Sequence, residues 1–130
     1  MKTLSLVAAT LLALPWPNQV VRAEMTTTTQ TEIGHLLDRV AQSSCEFNSD
    51  GTWYGSVMAH FHLRDKYRQM QEEVLISSTE EFIRSVASES ADSGQPYQVR
   101  CDGAPLVTSG QWLGAELARF RLRYTARPMN

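Results

Sequence analysis

The chain has 130 residues, of which 12 are lysine or arginine and 14 are aspartate or glutamate, so its formal net charge is −2 at pH 7. A weakly acidic protein lacks the overall positive field that attracts nucleic acid or an anionic membrane surface. We therefore expect no nucleic-acid partner, and the length predicts one small domain.

Residues 1–23 have the pattern of a secretory signal peptide. Lys2 supplies a positive charge at the start, an apolar run covers residues 4–14, and small residues in 21–23 precede an expected cleavage site. The run is too short to cross a bilayer, which takes about 20 residues, so an uncleaved N-terminal anchor is the weaker alternative. We expect an exported protein, periplasmic or extracellular, with no transmembrane segment in the mature chain.

The mature chain is predicted to begin with a flexible segment and to continue as a helix. Residues 24–31 contain a run of threonines and no apolar period, which is typical of a mobile terminus. We expect Thr31 to cap the first helix and Ser43 or Ser44 to end it. Its apolar residues recur with the spacing of one helix face; they are Ile33, Leu36, Leu37 and Val40.

A short hairpin and a later strand are predicted to form the sheet. Residues 45–47 and 52–54 have the composition of strands, and the turn-forming residues 48–51 lie between them. Farther along, residues 97–101 alternate with the period of a half-buried strand, after a turn that contains Gly94.

Cys45 and Cys101 are the two cysteines of the chain. In a small exported protein they favour one disulfide, because oxidising compartments allow it to form and small domains gain stability from it. The alternatives are weaker, since the spacing is not that of a redox motif and a metal site would need ligands from elsewhere. We expect the disulfide to join the hairpin to the later strand.

Three further helices are predicted from caps and apolar stripes. Ser56, Ser78 and Ser109 are the expected N-caps, and Glu81 is expected to complete a capping box with Ser78. The last helix is expected to end near Arg121. The expected core residues of the helix that begins at Ser56 are Val57, His60 or Phe61, Leu63 or Arg64, Tyr67 and Met70. Those of the helix that begins at Ser78 are Phe82, Ile83 and Val86, and those of the helix that begins at Ser109 are Trp112, Leu113, Leu117 and Phe120.

These elements together predict an α+β fold. About four helices surround a small antiparallel sheet, and one disulfide holds the two halves together. Residues 32–127 are expected to form this single small domain, because the chain shows neither an internal repeat nor a sustained heptad pattern.

The order and spacing of several short segments match a known pattern. They are CEF at 45–47, DG at 50–51, HLRDKY at 62–67, EEFIRSVASES at 80–90, SGQPYQVRC at 93–101, and WL at 112–113 followed by Leu117 and Arg119. Together they resemble a family of small exported bacterial proteins catalogued only as a domain of unknown function. The resemblance covers roughly residues 32–121 and supports export and the pairing of the two cysteines. It implies no activity, substrate or catalytic residue.

The candidate binding residues are His62, Lys66, Tyr97 and Arg100. His62 and Lys66 share one helix face, and the strand of Tyr97 and Arg100 would lie across it. The four side chains would then form a cationic, hydrogen-bonding patch that suits a carboxylate, a phosphate or a sugar acid. The commoner alternative is that the two cations pair with carboxylates on a solvated surface; the available ones are Glu46, Asp65 and Glu81.

We expect no metal, no cofactor and no catalytic residue. His60 and His62 would point about 200° apart on a helix, so they cannot chelate one metal ion. The serines lack the GxSxG setting of a nucleophile, and both cysteines are expected to be oxidised. Adjacent glutamates at 72–73 and 80–81 offer an acid and a base, but such pairs usually belong to a solvated face.

The sequence therefore predicts a small binding or interaction module without catalysis. The alternative is a minor cell-envelope hydrolase that uses carboxylates or His62. The expected partner is a cell-envelope protein or a small anionic ligand. A deep pocket with His62 beside a buried carboxylate would favour the hydrolase, whereas a shallow apolar patch near Trp53 and Tyr54 would favour partner binding.

Overall fold

The computed structural model describes residues 25–73 and 76–127, with a few single positions among the first 24. The predicted signal peptide, residues 1–23, lies outside these two ranges. Among the described helices, none has the length and apolar character needed to cross a membrane. The elements are α1 (Thr27–Gln42), β1 (Glu46–Ser49), β2 (Thr52–Gly55), α2 (Ser56–Glu73), α3 (Thr79–Ser85), β3 (Gln98–Arg100), β4 (Val107–Thr108) and α4 (Ser109–Thr125).

The four strands form one antiparallel sheet in the order β2-β1-β3-β4. Within it, Phe47 of β1 lies opposite Tyr54 of β2 on one side and Val99 of β3 on the other. Cys45 precedes β1 and Cys101 follows β3 at the same end of this pair, and the two form a disulfide with Cα atoms 4.5 Å apart. The predicted α+β fold and its disulfide are therefore confirmed.

The hairpin between β1 and β2 turns on two residues, Asp50 and Gly51. Both have a positive φ, of 51° and 87°. Positive φ at both central positions is the type I′ geometry, whose twist matches that of the flanking strands. The side-chain oxygen of Asn48 accepts a hydrogen bond from the N–H of Gly51 at 3.0 Å. The hairpin predicted from this segment is confirmed.

The core lies between the helices and one face of the sheet. Phe47 and Val99 are buried on this face, whereas their strand neighbours Glu46 and Arg100 are exposed on the other. α1 packs against the three other helices, α2 packs on the hairpin, and α4 packs on β3 and β4. The fully buried side chains around this centre are Leu36, Val40, Ile76, Phe82, Val86, Ala87 and Leu113.

The first helix begins earlier than predicted. Thr26, and not Thr31, is its N-cap, and the Thr26 hydroxyl accepts a hydrogen bond from the N–H of Thr29 at 3.1 Å. Met25 packs against the core and lies 3.5 Å from the hydroxyl of Tyr67. These contacts outweigh the low helix propensity of threonine, so residues 27–31 belong to the helix. The helix ends with Ser43 as its C-cap, as expected.

α2 faces the core with only part of the predicted stripe. Ala59 and Leu63 are buried, whereas the side chains of Val57 and Phe61 are 56% and 40% exposed. Because a helix turns by about 100° per residue, Val57 lies about 200° from Ala59 and points away from the core. Farther along the helix, Tyr67 and Met70 pack against the core as predicted.

The caps of the last two helices agree with prediction in part. Ser78 caps α3, and its hydroxyl accepts a hydrogen bond from the N–H of Glu81 at 3.1 Å. The Glu81 carboxylate, however, accepts from Ser77 and not from Ser78. Thr108, and not Ser109, caps α4, where it forms a capping box with Gln111.

α4 extends beyond its predicted end at Arg121 and stops at Thr125. The reason is a tertiary contact, because the Arg121 guanidinium binds the carboxylate of Glu32 in α1 at 2.6 Å. This ion pair attaches the last turns of α4 to α1, so the backbone remains helical past the point where the apolar stripe fades.

Candidate functional site

A small pocket lies where the β1–β2 hairpin meets α2 and the residue before β3; we call it the hairpin pocket. Its volume is about 80 Å³, which leaves room for several water molecules or one small chemical group. Two tyrosines and a histidine from three parts of the fold converge on it. The lining residues are Phe47, Asn48, Ser49, Tyr54, Ala59, His62, Leu63, Tyr97 and Ser109.

The backbone of Tyr97 is fixed on both sides. Its N–H donates a hydrogen bond to the carbonyl of Ser88 at 3.0 Å, and its carbonyl accepts one from the N–H of Ser109 at 2.8 Å. These bonds join the residue before β3 to the segment after α3 and to the first residue of α4. The position of the tyrosine ring is therefore set by three parts of the fold.

Lys66 of α2 binds the side chain of Tyr97. The ammonium donates to the tyrosine hydroxyl at 3.1 Å and to the backbone carbonyl of Glu89 at 2.6 Å. Burial lowers the pKa of Lys66, with the charges of Glu89 and Asp92 acting in the opposite direction. Burial also raises the pKa of Tyr97, so the phenol keeps its proton. Since the phenol oxygen accepts from Lys66, its hydrogen is available to another acceptor.

His62 lies one helical turn before Lys66 and lines the hairpin pocket. Its ring faces that of Tyr54, with the ring centroids 4.8 Å apart. The structure thus brings His62, Lys66 and Tyr97 together, as the sequence predicted. Ligand binding by these residues stays a prediction.

Arg100 does not join the other three candidates. Successive side chains of a strand point to opposite faces of the sheet, so Tyr97 and Arg100, three positions apart, lie on opposite faces. Arg100 instead donates two hydrogen bonds to Glu46 at 3.1 and 3.2 Å and stacks over the ring of Trp53 at 3.9 Å. Arg100 therefore forms an ion pair with a carboxylate on the solvated surface, which is the alternative considered from the sequence.

The turn residue Asp50 fixes the loop that precedes Tyr97, and the sequence did not predict this role. Its carboxylate accepts a hydrogen bond from the Ser90 hydroxyl at 2.6 Å and another from the Ser93 hydroxyl. These two bonds lower the pKa of Asp50. The loop with the SGQPY sequence is therefore held against the hairpin turn, beside the pocket.

The adjacent glutamates considered as an acid and a base do not converge. Hydrogen bonds from Ser77 to Glu81 and from Arg121 to Glu80 lower the pKa of each carboxyl. Glu72 and Glu73 are exposed at the end of α2. The described residues that line the hairpin pocket include no carboxylate.

Two buried carboxylates lie on the other side of the core, between α1 and α4. Glu32 is 5% exposed and Glu116 is 3% exposed. Glu116 shares the apolar stripe of α4, three residues after Leu113 and one before Leu117. That placement was the sequence signal for a buried carboxylate, because a charged group inside an apolar stripe requires a partner.

Glu32 is paired with one cation. Its carboxylate accepts hydrogen bonds from Arg121 at 2.6 and 3.1 Å and from the Thr79 hydroxyl at 2.7 Å. Arg121 lowers the pKa of Glu32, although burial opposes the shift. The same guanidinium also binds Glu80 on the surface. This arrangement keeps Glu32 ionised and offers no group for acid catalysis near neutral pH.

Within the described ranges, no group of three or more histidine, cysteine, aspartate or glutamate side chains is arranged to hold a metal ion. No curated protein and no solved structure matches the chain. Residues 27–121 match a family described as "Family of unknown function (DUF5329)". The matched range begins at the first residue of α1 and includes both cysteines and all four residues of the predicted patch. The chain therefore belongs to this family of unknown function, DUF5329.

Proposed function

We propose that the domain is an exported, non-catalytic binding module whose hairpin pocket holds a small carboxylate group. The proposal is carried by one observation, the convergence of His62 and Tyr97 on the pocket with Lys66 bonded to Tyr97. An imidazole and a phenol hydrogen are both suited to donate to an acceptor. The nearby ammonium favours an acceptor that carries negative charge.

Export is supported by two independent features. The bond between Cys45 and Cys101 is of the kind that persists in oxidising compartments. The composition of residues 1–23 is that of a secretory signal. We propose that the mature chain works in the periplasm or outside the cell, with a free carboxylate ligand or the carboxylate of a cell-envelope protein as its target.

The hydrolase alternative has less support. A catalytic histidine is usually oriented by a carboxylate or a similar partner, whereas the ring that faces His62 belongs to Tyr54. Among the described residues, the buried carboxylates Glu32 and Glu116 lie between α1 and α4 and are bound by arginines. The geometry therefore favours binding over catalysis.

An NMR titration of the mature domain with sodium acetate and sodium phenylacetate tests the proposal. We expect saturable shifts of the amides of Tyr54, His62 and Tyr97. The affinity should be on the order of 1 mM, because a very small ligand gains at most about 1.5 kcal/mol per heavy atom. Phenylacetate should bind more tightly than acetate, since the apolar side chains of Phe47, Ala59 and Leu63 line the pocket.

Two variants make the titration specific. Tyr97→Phe removes the phenol hydrogen and keeps the ring, so we expect the affinity to fall about tenfold. Arg100→Gln is the matched control, because Arg100 lies on the opposite face of the sheet and should leave the affinity unchanged. Shifts that do not saturate, or an equal loss in both variants, would contradict the proposal. Ester or glycoside hydrolysis that disappears in His62→Ala would support the hydrolase instead.

A further inference from the structure

Three arginines and a histidine surround one buried carboxylate at the α1–α4 contact. Glu116 of α4 is bound by the Arg119 guanidinium at 2.8 Å and by the His35 ring at 2.9 Å. Arg123 reaches the same carboxylate at 3.5 Å and Arg39 of α1 reaches it at 3.6 Å. We call Arg39, Arg119 and Arg123 the arginine cluster.

The arginine cluster carries more positive charge than the carboxylate it surrounds. Each of its three members is permanently charged, whereas Glu116 contributes one negative charge. Hydrogen bonds from His35 and Arg119 lower the pKa of Glu116 even though burial acts to raise it, so this carboxyl stays ionised. The site therefore keeps a net charge of about +2 near neutral pH, before any contribution from His35.

The neighbouring network around Arg121 has the opposite ratio of cations to carboxylates. There, one guanidinium serves two carboxylates, Glu32 and Glu80. A helix macrodipole accounts for a cation such as Arg123 in the last turn of α4. It also accounts for Arg39 in the last turn of α1. It does not account for the convergence of both guanidiniums, from two different helices, on one carboxylate. The excess of cations at Glu116 therefore needs another explanation.

The side chains of the arginine cluster are partly exposed to solvent. The contacts of Arg39 and Arg123 with Glu116 are longer than a normal hydrogen bond, which spans about 2.7–3.2 Å. Their side chains are 41% and 61% exposed, and that of Arg119 is 54% exposed. The guanidinium carbon of Arg39 also lies over the ring of Trp112, 5.7 Å from its centroid. The three guanidiniums therefore lie close together, and part of each side chain is accessible to a ligand.

We propose that the arginine cluster binds a phosphate group. Guanidinium groups match the oxygen geometry of phosphate with paired N–H donors, and several arginines converging on one point is the usual arrangement for this ligand. The three guanidiniums meet at Glu116, and a phosphate on the solvent side takes up the positive charge that Glu116 leaves uncompensated. The site is separate from the hairpin pocket, which is lined by β1, β2, α2 and the residues that precede β3 and begin α4.

A titration with sodium phosphate at constant ionic strength, with sodium chloride as the reference, tests this proposal. We expect saturable NMR shifts of Arg39, Arg119 and Arg123 with phosphate and not with chloride. Arg123→Gln should weaken phosphate binding about tenfold. Arg68→Gln removes the same charge from the exposed face of α2 and should leave the affinity unchanged. Equal shifts with chloride, or an equal loss in both variants, would overturn the proposal.

Glu116→Gln gives the sharper result. Glutamine keeps the size of the side chain and removes the charge that competes with phosphate for the guanidiniums. We expect phosphate to bind about tenfold more tightly to this variant than to the wild type. If the arginine cluster merely neutralised Glu116, the variant would bind phosphate no better. Because Glu116 is buried, the Arg123→Gln result stands on its own should this variant not fold.

A vesicle experiment separates the two sources of a phosphate group. Co-sedimentation of the mature domain with vesicles of phosphatidylcholine and phosphatidic acid in equal amounts, but not with phosphatidylcholine alone, would identify a lipid headgroup as the ligand. Phosphate binding without co-sedimentation would support a soluble phosphorylated ligand. Co-sedimentation that Arg123→Gln leaves intact would contradict a role for the arginine cluster at the membrane.

Discussion

The ammonium of Lys66 and the phenol of Tyr97 lie 3.1 Å apart, which joins the middle of α2 to the residue before β3. The same ammonium binds the carbonyl of Glu89 at 2.6 Å. Glu89 and Tyr97 stand at the two ends of the loop that carries the SGQPY sequence. A single side chain of α2 therefore holds both ends of this loop beside the hairpin pocket.

We expect Lys66→Met to loosen this loop. Methionine keeps most of the apolar stem of lysine and removes both hydrogen bonds, so the free energy of unfolding should fall by about 1–2 kcal/mol. The amides of Ser90 and Gly94, which are hydrogen-bonded within the loop, should exchange faster with solvent. Urea unfolding and hydrogen exchange measure the two effects. Arg68→Met, at an exposed position two residues farther along α2, is the control. Equal exchange rates of these amides in the two variants would contradict the role of Lys66.

Much of the fold could be predicted because its signals are local. The amphipathic period of α1, the Asp50-Gly51 turn and the Ser78 cap are each encoded within a few residues, and each is present in the structure. The early start of α1 could not be predicted in this way. It depends on contacts of Met25 with the core and with Tyr67, which only the folded chain brings together.

Only part of the candidate site could be predicted, because local sequence patterns place some of its residues and long-range contacts place the others. His62 and Lys66 share a helix face, and Tyr97 lies across it as expected from the strand. Arg100 lies apart from the other three residues, since the two-residue period of the same strand separates it from Tyr97. The Asp50 contacts with the loop and the arginine cluster join residues far apart in sequence, and no local pattern encodes such pairs.

The disulfide is expected to supply a large share of the stability of the domain. Cys45 and Cys101 are 56 residues apart, and closing a loop of that length stabilises a protein by about 4 kcal/mol in the chain-entropy model. Replacing both cysteines by alanine should lower the free energy of unfolding by this amount, as measured with urea. Reductant should destabilise the wild type equally and leave the double variant unaffected. Reduced and oxidised wild-type protein of equal stability would contradict this prediction.

Gly51 is expected to be required by the backbone of the hairpin turn. Its φ of 87° is costly for any residue with a Cβ atom, so Gly51→Ala should destabilise the domain by about 1–2 kcal/mol. Gly55 ends β2 in the same hairpin without a positive φ, and a Cβ there would meet no neighbour within 4 Å. Gly55→Ala should therefore change stability by less than about 0.5 kcal/mol. Thermal unfolding compares the two variants, and equal losses would show that turn geometry is not the cause.

The pairing of Glu32 with Arg121 should make the domain sensitive to acid. Hydrogen bonds from Arg121 hold the pKa of Glu32 below its ordinary value of 4.5, against the effect of burial. At a pH between the two pKa values of Glu32, the unfolded chain binds more protons than the folded chain. The contribution of this ion pair to stability is therefore complete above the ordinary pKa and is lost as the pH falls through the pKa of the folded state. Urea unfolding at a series of pH values should show this decline, and Glu32→Gln should make it smaller.

Arg121→Gln should reverse the sign of the contribution from Glu32. Without its cation, a buried carboxylate is destabilised in its charged form, so burial would raise the pKa of Glu32 above the ordinary value. Glu32 would then bind a proton in the folded chain at a higher pH than in the unfolded chain. As the pH falls from neutrality towards the ordinary pKa, the variant should therefore gain stability relative to the wild type. An Arg121→Gln variant that loses stability with acid as steeply as the wild type would show that this ion pair does not govern the response, because the fold would then favour the charged carboxylate as strongly without the guanidinium as with it.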